Sequence, residues 1–178
     1  MNTIFCIVGE SGSGKTTLVE YLQKKYNLKS IESYTTRPPR YPNESGHLFV
    51  TDKEYQEMKN DIVAYTYFNG FHYWATSQQI DENDLYVVDW AGVEELLDKY
   101  KGNKRVISVF LDVPWYIRFY RMYFKRKDKI SKIISRMWND YKMFKGVSDK
   151  CTFSIPRNHT DIISELIEEY IESEGINE

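Results

Sequence analysis

Short apolar runs alternate with longer amphipathic stretches along most of the chain. Four runs are short, apolar and bounded by polar residues or Gly, as buried strands are: residues 3–8, 85–89, 105–113 and 151–155. Four amphipathic stretches predict helices: residues 15–26, 92–100, 115 to about 145 with a polar break near KRKDKIS, and 160–173. Strands separated by helices favour a parallel central sheet with helices on both faces, which is a three-layer α/β/α fold.

The segment from residue 33 to residue 85 has a different pattern. It contains a short HLFV strand, a short helix that begins behind Thr51 or Asp52, and the stretch IVAYTYFNGFHYWATS. The Asn69-Gly70 pair in that stretch predicts a hairpin, because both residues tolerate positive φ. The sequence therefore predicts a small mixed β/α unit inserted into the larger α/β fold.

Composition narrows the class of protein. The chain has 178 residues, of which 42% are hydrophobic and 28% charged, so it is globular rather than disordered. A formal net charge of −2 argues against a protein whose whole surface binds nucleic acid. Cys6 and Cys151 lie in strand-like runs and are interpreted as reduced, buried thiols. No secretion signal is recognised, and no apolar run approaches the roughly 20 residues that span a bilayer, so a cytoplasmic protein is expected.

The stretch GESGSGKT, residues 9–16, has the spacing G-x-x-x-x-G-K-[ST] and lies between a predicted strand and a predicted helix. Its glycines let successive N–H groups point inward, and the helix adds its positive N-terminal end. Lys15 supplies a charge for the β- and γ-phosphates, and the Thr16 hydroxyl is a ligand for Mg²⁺. The motif predicts binding of a nucleoside triphosphate with Mg²⁺ by these residues: Gly9, Glu10, Ser11, Gly12, Ser13, Gly14, Lys15, Thr16 and Thr17.

A second candidate anion site lies in IESYTTRPPR, residues 31–40. Arg37 and Arg40 flank Pro38 and Pro39, which stiffen the backbone. A guanidinium group matches a phosphate through a planar, bidentate fork, so two fixed forks suit a phosphate monoester. A solvated basic turn is the alternative interpretation.

Several motifs in this order resemble the guanylate kinase family over nearly the whole chain: GESGSGKTTL, SYTTRPPR, GHLFV, NGFHYWATS, DWAG and an arginine-bearing helical segment. The resemblance implies a P-loop core (residues 1–32 and 86–178), a nucleoside-monophosphate-binding insertion (33–85) and a helical lid (about 121–135). It also implies transfer of the γ-phosphoryl group of ATP to GMP or dGMP, with Mg²⁺ as the cofactor.

The same resemblance assigns roles to individual residues. The acceptor would be bound by Ser33, Arg37, Arg40, Tyr73 and Asp89, although Asp89 is also a candidate helix N-cap. The catalytic candidates are Lys15, Arg37, Arg126 and Arg136. Arg136 is expected to open the SRMWND helix, and the alternative for every arginine of the lid region is a solvated basic face. Arg118 and Arg121 are further candidates there, but the spacing of Arg121 departs from the family pattern.

Base recognition is where the sequence departs most from the family. Ala64 occupies the position of the glutamate that reads guanine, so a less selective pocket is expected unless Thr66, Tyr67 or a water substitutes. His47 replaces a tyrosine of the family pattern. Arg157, in the IPRN stretch near the expected adenine site, would either stack on adenine or be solvated.

Two other functions remain open from the sequence. One is a sugar-phosphate kinase of the same family, acting on a substrate such as ribose bisphosphate, which needs no base reader. The other is a non-catalytic module that binds a phosphorylated ligand, against which the intact Lys15-Thr16 pair argues. The expected partners are ATP and a nucleoside monophosphate, with no nucleic acid and no membrane, in a monomer or a homodimer.

Overall fold

The computed structural model describes residues 1–156 and 159–173. Along the chain, the strands and helices are β1 Thr3–Val8, α1 Lys15–Tyr26, β2 Ser33–Thr35, β3 His47–Phe49, α2 Asp52–Met58, β4 Ile62–Phe68, β5 Phe71–Thr76, α3 Ser77–Glu82, β6 Leu85–Val87, α4 Trp90–Lys99, β7 Arg105–Leu111, α5 Trp115–Tyr120, α6 Ile130–Met143, β8 Phe153–Ile155 and α7 His159–Ser173. None of the helices in this part of the chain combines the length and the apolar character needed to cross a membrane.

The central sheet is parallel, with the strand order β6-β1-β7-β8. Strand β1 is buried on both faces, so its alternate side chains enter two different cores. Ile4 and Cys6 pack with Val93 and Leu96 of α4 on one face. On the other face, β1 packs against buried residues of α1 and α7: Phe5 and Ile7 meet Leu18, Leu22, Ile163 and Ile167. The predicted three-layer α/β/α fold is confirmed.

A second, mixed sheet has the order β3-β2-β5-β4, with β2 and β3 parallel and the other pairs antiparallel. The predicted hairpin joins β4 to β5, and Asn69 and Gly70 have φ values of 51° and 84°, which a two-residue turn of this kind needs. Thr51, rather than Asp52, caps α2, and Glu54 closes a reciprocal capping box. The division of the chain at residues 33 and 85 stays a prediction, although β2 and β6 begin at these positions.

Several elements differ from the sequence-based expectations. The helix α3 was missed, although Thr76 and Gln79 form a capping box that its sequence displays. Strands β6 and β8 are shorter than the apolar runs that contain them. Arg136 does not open a helix as expected, because α6 begins six residues earlier, at Ile130.

Candidate functional site

The glycine loop between β1 and α1 is shaped to receive an anion. Gly14 is the N-cap of α1 in the left-handed conformation, with φ of 103°. Within residues 1–156 and 159–173, no side chain caps this helix end, and no acidic residue lies in its first turn. The free N–H groups and the positive end of the helix dipole are therefore available to a phosphate.

Lys15 is held by the loop itself. Its ammonium group contacts the carbonyl oxygen of Gly9 and lies 3.3 Å from that of Glu10. Burial lowers the pKa of Lys15 to about 8, while the nearby carboxylate of Asp140 acts in the opposite direction. A bound polyphosphate would supply negative charge at this place and favour the charged amine.

A cavity of about 960 Å³ opens over the glycine loop. Loop and α1 residues line one side of it: Ser11, Gly12, Gly14, Lys15, Thr16 and Thr17. The helical segment after β7 lines the other side with four cations: Arg121, Lys125, Arg126 and Arg136. Most of the residues predicted to bind a triphosphate are thus brought together with two of the predicted catalytic arginines. Three of them are exceptions: Gly9 does not line this cavity, Glu10 pairs with Arg118 at 2.8 Å, and Ser13 is buried.

Arg121 lies closer to the loop than its sequence spacing indicates. Its Nη1 donates hydrogen bonds to the carbonyl oxygens of Ser13 at 2.7 Å and Gly12 at 3.3 Å. Residues Arg121–Lys125 form a π-helical turn, in which the Arg126 N–H donates to the Arg121 carbonyl at 3.0 Å. This wider turn accommodates one more residue than an α-helical turn, so two arginines five positions apart line the same cavity. The departure of Arg121 from the family spacing is the sequence feature that could have indicated this wider turn.

The other arginines of this segment have different surroundings. Arg118 is buried and paired with Glu10, which removes it from the candidates for a ligand. Arg126 and Arg136 both approach Asp128, at 3.6 Å and 3.4 Å. Burial, and secondarily the charge of Arg126, lower the pKa of Arg136. An additional anion beside these two guanidinium groups would therefore be stabilised.

In the proline-stiffened corner, Arg37 is paired with a carboxylate that the sequence analysis missed. Glu44 accepts from both terminal nitrogens of Arg37, at 2.9 Å and 3.1 Å, in a bidentate pair. It also accepts the backbone N–H of Arg40 at 2.6 Å. The guanidinium of Arg40 is 65% exposed and lies 3.7 Å from Glu44. Glu44 thus occupies the fork of Arg37 in the way that a phosphate would.

A second cavity, of about 270 Å³, lies between the glycine loop and the mixed sheet. Three predicted acceptor-binding residues line it: Ser33, Tyr73 and Asp89. Arg37 and Arg40 do not line this cavity. The hydroxyl of Tyr73, which does line it, lies close enough to Arg37 to raise the pKa of that side chain, although Glu44 has the larger effect. Three polar residues line both cavities: Ser11, Lys15 and Asp140. The two cavities therefore lie side by side.

The end of this cavity expected to read a base carries hydroxyl groups. Ala64 is fully buried and pairs with Ala75 in the ladder between β4 and β5, so it presents no polar atom. Thr66 lines the cavity and donates to Asp89 Oδ1 at 2.8 Å. The same Oδ1 accepts the Gly92 N–H at 2.9 Å, so Asp89 is both a cavity residue and the N-cap of α4. Arg157, considered for adenine, lies outside the described residues.

In comparisons with known proteins, the chain is similar to several guanylate kinases. The chain is 31% identical over 147 residues to the guanylate kinase of Buchnera aphidicola subsp. Schizaphis graminum, covering 75% of this chain and 69% of that protein. It is 26% identical over 145 residues to the guanylate kinase of Agrobacterium fabrum, covering 75% and 65% respectively. With the guanylate kinase of Nitrobacter winogradskyi it shares 30% identity over 122 residues, which cover 62% of this chain and 55% of that one.

The matches to the Agrobacterium and Nitrobacter proteins span less than two thirds of the length of those relatives. No family model matches the chain. Among solved structures, a crystal structure of guanylate kinase from Anaplasma phagocytophilum resembles it with a TM-score of 0.62, at 16% identity over 94% of this chain and 86% of that one. This likeness supports the fold described above. Given the extent and identity of the Buchnera match, the chain belongs to the guanylate kinase family.

Proposed function

We propose that the protein is an ATP-dependent nucleoside monophosphate kinase, which transfers the γ-phosphoryl group of ATP to GMP, dGMP or a related nucleoside monophosphate. The observation that carries this proposal is the pair of adjoining cavities that share Lys15, one over the glycine loop and one against the mixed sheet. The guanylate kinase names of its relatives support the same reaction. We propose that it acts in the cytoplasm, as a monomer or a homodimer.

The reaction needs alignment and neutralisation of charge. An oxygen of the acceptor phosphate forms a bond to the γ-phosphorus of ATP, and the bond from that phosphorus to the β,γ-bridging oxygen breaks, which leaves ADP. The phosphate oxygen is already a nucleophile, so no general base is required. Lys15 and the cavity arginines stabilise the charge that spreads over the transferred group.

The residues present suit Mg²⁺ as the cofactor. The Thr16 hydroxyl lines the larger cavity in the first turn of α1, beside Lys15. It is an oxygen ligand of the kind that Mg²⁺ prefers, with phosphate oxygens and waters as the other ligands. When bound, Mg²⁺ would neutralise charge on the β- and γ-phosphates.

We propose that Arg37 and Arg40 bind the acceptor phosphate. Arg40 presents an exposed guanidinium group that can turn toward a ligand. Arg37 keeps its Nε donor without a hydrogen-bond partner among the described residues, even while Glu44 holds its terminal nitrogens. An acceptor phosphate would satisfy this buried donor, whose isolation costs about 1–3 kcal/mol.

The protein is expected to accept more kinds of nucleotide base than a relative with a glutamate at the position of Ala64 would. The Thr66 hydroxyl donates its hydrogen bond to Asp89, so the lone pairs of its oxygen are left to accept one from a ligand in the cavity. A neutral hydroxyl binds a ring N–H more weakly than a carboxylate does. Several bases, including that of dGMP, should therefore be accepted.

An ADP-release assay tests the function directly. Purified protein, ATP and Mg²⁺ are combined in turn with GMP, dGMP, AMP, dAMP, CMP, dTMP and ribose bisphosphate. We expect turnover with GMP or dGMP and measurable turnover with at least one other nucleotide. A Lys15→Ala variant serves as the control for contaminating kinases. Activity with the sugar phosphate alone would overturn the proposal, and absence of turnover with every acceptor would favour a non-catalytic role.

A further inference from the structure

Asp140 is a buried carboxylate to which the proposed reaction assigns no role. It lies on α6, is 7% exposed, and lines both cavities where they adjoin. A negative charge beside a triphosphate opposes binding by Coulomb repulsion. The position of Asp140 therefore needs an explanation other than attraction of a substrate.

The contacts of Asp140 join three parts of the fold. Its Oδ2 accepts the backbone N–H of Ser11 at 2.8 Å, and its Oδ1 accepts the Ser11 hydroxyl at 3.2 Å. Its Oδ2 also lies 3.5 Å from Nη1 of Arg118. Arg118 is fixed in turn by the Val113 carbonyl at 3.0 Å and by Glu10 at 2.8 Å. One carboxylate thus ties α6 to the glycine loop and to α5.

The same helix carries Arg136 one turn earlier. Residues four apart in an α-helix lie on the same face, and both Arg136 and Asp140 line the larger cavity. Fixing Asp140 against Ser11 therefore fixes the distance of Arg136 from the loop that would hold the phosphates.

We propose that Asp140 is a positioning residue for phosphoryl transfer, which holds α6 against Ser11 so that Arg136 reaches the transferred group. This inference rests on the proposed kinase activity. It concerns the chemical step rather than substrate binding, because Asp140 itself touches the loop and Arg118.

A double-mutant cycle in kcat tests the inference. Asp140→Asn keeps the shape of the side chain and should lower kcat by about 10²-fold, the effect expected of a catalytic group displaced by about 1 Å. Arg136→Ala should lower kcat by about 10³-fold. If Asp140 acts through Arg136, the double variant should have the kcat of Arg136→Ala within about twofold. KM for ATP should change by less than about threefold in Asp140→Asn, since no ligand contact is removed.

Asp149→Asn is the matched control, because it makes the same chemical change at an exposed carboxylate. Ser11→Ala, which removes only the hydroxyl contact, is the second variant. It should lower kcat severalfold in the wild-type background and not in the Arg136→Ala background. Equal losses of kcat in both backgrounds, or an Asp140→Asn protein as active as Asp149→Asn, would overturn the inference while the kinase activity stands. A wild-type protein that transfers no phosphoryl group would instead overturn the proposed function.

Discussion

Arg37 and Arg40 differ in how freely they can meet a substrate. Arg37 is 7% exposed and has a bidentate carboxylate partner, whereas the Arg40 side chain is 65% exposed. The two arginines of one motif therefore have separable roles. In the proposed reaction, Arg40 would make the first contact with an arriving phosphate, and Arg37, whose terminal nitrogens Glu44 holds, would bind it through Nε.

Replacing Arg40 by Ala is expected to weaken acceptor binding selectively. A charge-assisted hydrogen bond contributes about 1.5–3 kcal/mol, so KM for the acceptor should rise by about 10- to 100-fold while KM for ATP changes little. Steady-state kinetics with each substrate varied in turn measures both constants. Lys53→Ala, at an exposed cation of α2, is the control. Equal increases in both KM values would contradict the assignment of Arg40.

The Arg37–Glu44 pair should persist in mild acid. The hydrogen bond from Arg37 is the main cause that lowers the pKa of Glu44 to about 2. A depressed pKa contributes stability that is present above the unfolded value and is lost as the pH falls through the folded value. The difference in unfolding temperature between wild type and Glu44→Gln should thus change little from pH 7 to about pH 5 and decline progressively below that.

Thermal melts of both proteins across this pH range supply the measurement. Glu57→Gln, at the exposed end of α2, controls for general charge effects. A difference that has already vanished at pH 4 would mean that the pair does not form in solution.

Motif spacing identifies candidate residues most directly where those residues lie close together along the chain. Lys15 and Thr16 are defined by a loop of eight residues, so spacing alone identified them. Asp140 meets Ser11 across 129 residues, and no motif around Asp140 indicates that it pairs with the glycine loop. Glu44 is only seven residues from Arg37, but an acid within a turn gives no sign of the direction in which it points.

At the scale of elements, the π-helical turn controls which side chains after α5 face the larger cavity. An α-helix advances about 100° per residue, so a fifth residue that no wider turn absorbed would rotate everything beyond it. The turn is the reason that Arg121 and Arg126 share a cavity despite a spacing that disfavours it in an α-helix.

Inserting an Ala after Tyr123 should therefore move Arg126 away from the cavity, because the two arginines would then be six positions apart. Tyr123 is 40% exposed, so an insertion beside it disturbs little buried surface. We expect kcat to fall by about 10²- to 10³-fold, as for the loss of an arginine that stabilises the transition state. The helix content seen by far-ultraviolet circular dichroism should stay nearly unchanged. Tyr123→Ala, which keeps the spacing, should retain activity, and an equally large loss in that variant would refute the explanation.

Elements were predicted well where apolar periodicity was long and poorly where it was short. The central strands and α1 follow directly from their patterns. The six residues of α3 have too few apolar positions for periodicity, and only the Thr76–Gln79 capping pair identified its start. Strand β6 ends at Val87 because Asp89 is the N-cap of α4. The apolar run LYVVD does not show that its last residue belongs to the start of the helix rather than to the strand.

At the scale of the whole molecule, charge is distributed unevenly. Residues 115–143 hold nine of the 24 Lys and Arg but only two of the 26 Asp and Glu. This basic segment faces the glycine loop across the larger cavity, while the mixed sheet closes the smaller one. Substrates that carry several phosphates would thus be surrounded by three separate parts of the chain.

A bisubstrate analogue that joins ATP and GMP through their phosphates should stabilise the protein more than either nucleotide alone. At 100 times its Kd, a ligand that binds only the folded state adds about 2.7 kcal/mol. For a chain of this size, that corresponds to an increase in Tm of about 5–10 °C. Thermal shift assays with the analogue, with ATP and with GMP at equal concentrations measure the effect. Equal shifts for all three would mean that the two cavities are not bridged.

Gly12 leaves no room for a side chain beneath α5, since a Cβ there would lie 3.0 Å from the Arg118 carbonyl oxygen. Its φ of +79° also disfavours any other residue. A side chain at position 12 would therefore require α5 to move away from the glycine loop. A designed change in the sequence of either segment has to be matched by a change in the other.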